Sequence, residues 1–297
     1  MIEHKVFNRS THQLESEISG NTGGLQFLYN SLPGKILNPF IARHFVSQTY
    51  SRFVRSRRST MKIGSFIKEY NIDISEVQDE LHSFRSLNDF FIRKLKPEAR
   101  PIDHERTHLI SPADARLLVF NLAEKNTLPV KGYWYELEEF IQSKKLADDY
   151  ADGWCFVYRL APCDYHRFCY IDDGRQESVV RIKGALHSVN PIALSSVDAL
   201  MSKNYREMTI LQTRNFGKVL HFEVGALMVG KVILLNRSAY GFRKGEEKGW
   251  FEFGGSTIVQ FFRKTVLLPD ADLTELSSRG IETRVKVGEK VGMALIP

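Results

Sequence analysis

Gly254-Gly-Ser-Thr257 interrupts the aromatic and β-branched run from Trp250 to Phe262 and places a hydroxyl directly after two glycines. Glycine takes backbone angles that a Cβ forbids, so the chain can turn sharply just before Ser256. In isolation such a tetrapeptide is ordinarily a β-turn, with the serine capping a loop. Its reactive alternative is a strained turn in which Ser256 Oγ faces the carbonyl of Gly255. A hydroxyl so placed can attack that carbonyl and convert the peptide bond into an ester. Three other stretches could assist. Asp114 lies in Ser111-Pro-Ala-Asp-Ala-Arg116, a turn before a strand, where an aspartate commonly satisfies nearby backbone N–H groups. His166 lies in Leu160-Ala-Pro-Cys-Asp-Tyr-His-Arg-Phe-Cys169; a lone histidine in such a place is more often structural than catalytic. His187, in Lys183-Gly-Ala-Leu-His-Ser-Val-Asn-Pro191, ends a strand with polar groups and is a candidate for substrate binding. An acid, a histidine and a serine together supply a nucleophile, a base and an orienting group. The serine is not in Gly-x-Ser-x-Gly, and no phosphate loop, metal-ligand helix or dinucleotide fingerprint is present.

The elements that must position these groups change character along the chain. Short β-type runs punctuated by Gly, Pro, Asn and Asp dominate beyond residue 108: Leu117–Phe120, Trp154–Tyr158, Val179–Ile182, Lys218–Phe222, Lys231–Leu235 and Ser256–Phe262. Helical patterns there are few, at Glu136–Leu146 and Ile192–Ser202. This part reads as a compact, mostly antiparallel β domain spanning 101–297. Upstream, residues 61–100 carry helical spacing, with Ser86 as an N-cap and Pro97 and Pro101 closing the region. The fold class expected is α+β: a helical, basic amphipathic N-terminal region over residues 25–100, expected to associate with a membrane, then the β domain. Residues 1–24 are polar, without periodicity, and are expected as a loose arm.

The window 25–68 contains Lys35, Arg43, Arg52, Arg55, Arg57, Arg58, Lys62 and Lys68 and neither Asp nor Glu. Aromatic and aliphatic residues recur through it near helical spacing. Such a segment can lie in a membrane interface, or pack on its own protein with a solvated basic face. With a net charge of +6 an anionic partner is expected; nucleic acid lacks a recognition motif here. Cys155, Cys163 and Cys169 suit neither a disulfide framework nor a zinc site, which points to a reducing compartment. The N-terminus lacks the apolar core of a signal peptide. The most apolar window, Val219–Leu235, is too short and too charged to span a bilayer and reads as two strands joined through Gly225 or Gly230.

Phe253-Gly-Gly-Ser-Thr257 after Lys244-Gly-Glu-Glu-Lys-Gly249 resembles the self-cleavage site of phosphatidylserine decarboxylases, in the subgroup with Gly-Gly-Ser-Thr. The resemblance runs from about residue 84 to the C-terminus. It takes in Leu87-Asn-Asp-Phe-Phe-Ile-Arg93, Pro112-Ala-Asp114, Lys131-Gly-x-x-Tyr135-x-Leu137, Asp164-Tyr-His-Arg167, His187-Ser-Val-Asn-Pro191, Val224-Gly-Ala226 and Val287-Gly-Glu-Lys-Val-Gly292. Each is weak alone; in family order they match strongly. The resemblance implies that Ser256 is the self-processing serine, Asp114 the charge-relay aspartate and His166 the histidine of decarboxylation. It further implies cleavage between Gly255 and Ser256 into a β chain 1–255 and an α chain 256–297. A covalent pyruvoyl group derived from Ser256 then decarboxylates phosphatidylserine to phosphatidylethanolamine through a Schiff base, without pyridoxal phosphate or metal. The family commonly has a second histidine three residues after the first, as the relay base, and this chain has Cys169 there. Three alternatives follow: His166 is the base in a shifted geometry, a thiol–carboxylate pair suffices, or maturation is slow or incomplete. Implied partners are phosphatidylserine, an anionic membrane surface on the cytoplasmic face of the cell membrane, the sister chain of the same precursor and, left open, a homodimer.

Two other readings stand beside this one. A pyruvoyl-dependent decarboxylase of a soluble amino acid would share the cleavage site but not need the acid-free aromatic N-terminal window. A non-catalytic β-rich lipid-binding or carrier module would resemble Val285–Gly292, but needs a modifiable lysine that nothing around Lys286 or Lys290 supports.

Overall fold

Every residue of the strand Ser256–Phe262 is buried. Alternation sends Ile258 and Phe262 into one apolar core and Val259 and Phe261 into another. A strand apolar on both faces must lie mid-sheet with a layer on each side, and it does. The structure is a computed structural model describing residues 5–17, 23, 27, 31, 33, 50–124, 127–130, 133–185, 200–225, 231–254 and 256–295. Its architecture is mixed α+β, mostly antiparallel sheet with few helices.

Among the described residues the main sheet has 11 strands. Ser256–Phe262 is hydrogen-bonded to Lys218–Gly225 on one side and Trp154–Leu160 on the other, both antiparallel. Beyond Trp154–Leu160 come Ala115–Asn121, then Glu282–Val285. Lys5–Asn8 joins the last of these in parallel, and Gln13–Ser16 closes the edge. The expected loose arm is therefore corrected over residues 5–16. Its backbone gains sheet partners, and Arg9 ties it to Asp270, Asp272 and Glu289. Those charges meet only after folding, which is why the segment's polar sequence gave no periodicity.

One face of the sheet packs on Val232–Leu234, Glu247–Phe251 and Arg167–Cys169, a three-stranded sheet. The helices Leu137–Ile141 and Lys144–Tyr150 cover the other face. The helix expected over Glu136–Leu146 thus breaks at Gln142, whose φ of +56° ends the first piece before Ser143 caps the second. The strands expected from Val219–Leu235 belong to different sheets, Lys218–Gly225 to the large one and Val232–Leu234 to the small one. Between the two sheets Lys248 pairs with Glu223, which also meets His221 at 3.2 Å; all three are fully buried.

A third apolar cluster brings the N-terminal region to the site. Val54, Ile63, Phe66, Leu87, Phe90 and Phe91 form its core, with Cys163, Tyr165 and Phe253 packed against it. The helices here are Ile63–Tyr70 and Leu87–Phe91, and Ser86 caps the second by accepting the Asp89 N–H at 3.1 Å. Phe90 and Phe91 are almost fully buried, each stabilising the fold by about 1.5–3 kcal/mol. Most of residues 25–49 and of the helix expected at Ile192–Ser202 lie outside the described residues; Leu200–Lys203 is helical.

Candidate active site

Phe251, Glu252 and Phe253, which lead towards Ser256, are each held by a hydrogen bond from the main-chain N–H. Phe251 N donates to His166 O at 3.0 Å, and Glu252 N to Lys231 O at 3.0 Å. Phe253 N donates to Oδ1 of the buried Asn88 at 2.9 Å. Gly254 has φ of +143°, a conformation that a Cβ disfavours. Gly255 lies outside the described residues. On the far side Ser256 is clamped between Gly225 and Leu160 by the sheet. Anchoring on both sides of a turn is what an intramolecular attack needs, because orientation replaces a collision.

Residues 161–166 leave the strand Trp154–Leu160 as a tight loop. Asp164 shapes it, accepting the Ala161 N–H at 2.7 Å and pairing with the buried Arg116. The loop turns Ala161 O onto the ring of His166, 3.1 Å from Nε2, and His166 Nδ1 lies 3.3 Å from Ser256 Oγ. A carbonyl only accepts, so Nε2 carries the proton and the Nδ1 lone pair faces the serine hydroxyl. Phe91 stacks on the imidazole with centroids 3.9 Å apart. Burial, then the charges of Arg93 and Arg116, push the His166 pKa down to about 3. The ring is therefore neutral at physiological pH and able to accept a proton.

Asp114 sits elsewhere. Its carboxylate accepts from Arg100 Nε at 2.8 Å, Arg100 Nη2 at 2.7 Å and Val287 N at 2.9 Å. Ser111, in the same turn, exchanges backbone hydrogen bonds with Gly288 and Glu289, so the Val287–Gly292 motif is the bed of the aspartate turn. His166 is oriented by a main-chain carbonyl instead of a carboxylate. Cys169 is buried, with its N–H on Pro112 O at 2.9 Å. Burial first, with Glu247 and Asp114 adding, pushes its thiol up to about 12. The position where the resemblance implies a histidine is thus on the Asp114 side and holds a thiol that stays protonated. His187 lies outside the described residues.

Asn88, Phe91, Arg93 and Arg100 contribute to the site without having been singled out by type. The first three lie inside Leu87–Arg93, a motif quoted above only as part of the resemblance. Arg167, next to the histidine, ties the loop to Ile92 O at 2.9 Å and to Glu247 at 2.8 Å. Among the described residues no group of three or more His, Cys, Asp or Glu is placed to hold a metal.

The family model for phosphatidylserine decarboxylase matches residues 87–293, beginning at the first residue of that motif. A phosphatidylserine decarboxylase proenzyme of Clostridium perfringens is 42% identical over 97% of this chain and 99% of its own length. One from Clostridium novyi is 42% identical over 98% and 99%. Phosphatidylserine decarboxylase proenzyme 2 of Clostridium acetobutylicum is 42% identical over 97% of both chains. The chain belongs to the phosphatidylserine decarboxylase family. The matches to these phosphatidylserine decarboxylase proenzymes reach beyond the β domain into the N-terminal region, whose Phe66 and Phe91 pack directly on Phe253.

Proposed function

We propose that the chain is a phosphatidylserine decarboxylase proenzyme that cuts itself between Gly255 and Ser256. The observation carrying this is the hydrogen bond between Ser256 Oγ and the lone pair of a neutral, buried imidazole. His166 removes the hydroxyl proton as Oγ attacks the Gly255 carbonyl, and the acyl group moves from nitrogen to oxygen. The ester then loses its carboxylate by β-elimination across Cα–Cβ of residue 256, releasing the β chain with a free C-terminus. Hydrolysis of the resulting dehydroalanine expels ammonia and leaves a pyruvoyl group at the head of the α chain.

The residues present fit that group. It is made from Ser256's own atoms, and the strand below it remains buried and paired on both sides. When formed, it supplies an electron sink for loss of CO₂ from an amino acid bound through its amine. His166, in hydrogen-bond reach of the residue 256 side chain, returns a proton to the substrate carbon, a step that typically contributes about 10²–10⁴-fold. Wild-type protein incubated with phosphatidylserine vesicles is expected to yield two fragments by intact mass, the smaller starting at residue 256 with a ketone, and to release CO₂. One intact mass, with no CO₂, would sink the proposal.

The N-terminal region brings the site to its lipid on the cytoplasmic face of the membrane. No helix among the described residues is long and apolar enough to cross a membrane. Val54 and Phe66 point inward while Arg52, Arg57 and Arg58 are exposed, so packing on the protein and a free basic face coexist. Each such charge contributes about 1 kcal/mol at an anionic surface. Changing all three to Gln is expected to weaken binding to phosphatidylserine-containing vesicles about 100-fold. Turnover of a soluble short-chain phosphatidylserine should change less than about twofold. Equal losses in both assays would remove the docking role.

A further inference from the structure

Arg93 is buried, yet its Nε and Nη1 have no hydrogen-bond partner among the described residues. Only Nη2 is engaged, donating to Cys163 O at 3.2 Å, and the guanidinium lies 5.1 Å from the centroid of the Phe90 ring. A desolvated cation left so is costly unless a ligand completes it. Arg93 also lines a cleft of about 370 Å³ together with Tyr70, Arg100, Asp114, Cys163 and Asp164. Six carboxylates line that wall and each has a partner already: Asp114 and Glu76 in Arg100, Asp164 and Glu17 in Arg116, Glu15 in Arg284 at 3.9 Å, and Asp73 in the Ser75 N–H. Arg93 makes no ion pair with a described residue. Its position links the cleft to the chemistry, because Cys163 belongs to the loop that carries His166, and Phe91, two residues earlier, stacks on that imidazole.

We infer that Arg93 binds the phosphodiester of the lipid head group and thereby positions the serine moiety at residue 256. This rests on the decarboxylase reading above for its substrate, though the binding itself does not require turnover. Three bonds separate the reacting carbon of phosphatidylserine from its phosphorus, so the phosphate must bind close to the reacting centre, and Arg93 is bonded to the loop that carries His166. The substrate carboxylate is the poorer candidate. Its charge disperses as CO₂ departs, and a guanidinium holding it would stabilise the ground state over the transition state. The phosphodiester keeps its charge throughout, and arginine is well suited to it.

The test uses the full-length uncleaved Ser256→Ala chain and two soluble probes, glycerophosphoserine and glycerophosphoethanolamine, titrated by calorimetry. Adding Arg93→Gln is expected to weaken both probes about 10- to 100-fold, while Arg93→Lys, which keeps the charge, loses less. If Arg93→Gln does not fold, Arg93→Lys carries the measurement, with a few-fold loss expected for both probes. Unchanged binding of either probe overturns the assignment. So does a loss confined to glycerophosphoserine, which would make Arg93 a reader of the carboxylate, and so does failure of the parent chain to bind glycerophosphoethanolamine. None of these outcomes depends on whether wild-type protein releases CO₂, so the two readings fail separately.

Discussion

Ser256→Ala is expected to leave the chain as one uncleaved polypeptide, with decarboxylation reduced to background. The substitution removes one oxygen from a residue that is fully buried at the start of a fully buried strand. The hydroxyl's bond to His166, at 3.3 Å, is long, so its loss should cost no more than about 1 kcal/mol of stability. Backbone pairing to Gly225 and Leu160 does not involve the side chain and persists. A loss of processing in a variant that melts within a few degrees of wild type is therefore chemical. It removes both the nucleophile that opens the peptide bond and the atoms from which the carbonyl is made. A time course on a denaturing gel, read beside CO₂ release and thermal melting, checks this. Fragments appearing in the Ser256→Ala chain at the wild-type rate would mean that another group, or a protease, cuts there.

The strands flanking this serine were legible because their environments match their residue types. Trp154–Leu160, Lys218–Gly225 and Ser256–Phe262 are rich in β-branched and aromatic residues and are buried in the middle of the sheet. Residues 5–16 were not legible. Their stability comes from pairing with Glu282–Val285 and from Arg9 with acids more than 260 positions away, neither of which leaves a local pattern. The site divides in the same way. Ser256 announced itself through the glycine pair, and His166 and Asp114 through the resemblance. Asn88 and Phe91 work through contacts to Phe253 and His166, and an asparagine and a phenylalanine in a short helix look like ordinary packing. The separation of Asp114 from His166 was hidden too, since it depends on Arg100 reaching back from the turn after Pro97.

That separation favours His166 as the proposed acceptor of the Ser256 proton. A thiol raised to about 12 by burial is no base at neutral pH, and Cys169 is not among the hydrogen-bond partners of Ser256. His166 already faces Oγ with its lone pair, and its depressed pKa keeps that lone pair free. His166→Gln is accordingly expected to slow self-cleavage by about 10²–10⁴-fold, whereas Cys169→Ser should change it less than about threefold. The pH dependence follows with a definite sign. The base acts when unprotonated and its folded pKa is about 3, so the cleavage rate should be level from about pH 5 to 8, without the break near 6.5 of an ordinary histidine. Stability runs parallel. The unfolded chain takes up a proton near pH 6.5 that the folded chain refuses until about 3, so His166's contribution is complete above 6.5 and falls as the pH drops from there towards 3. Circular dichroism at each pH separates unfolding from titration of the base. A break in the cleavage rate near 6.5 in protein that is still folded, or wild-type cleavage by His166→Gln, would take the proton from His166 and return the question to Cys169 and Asp114.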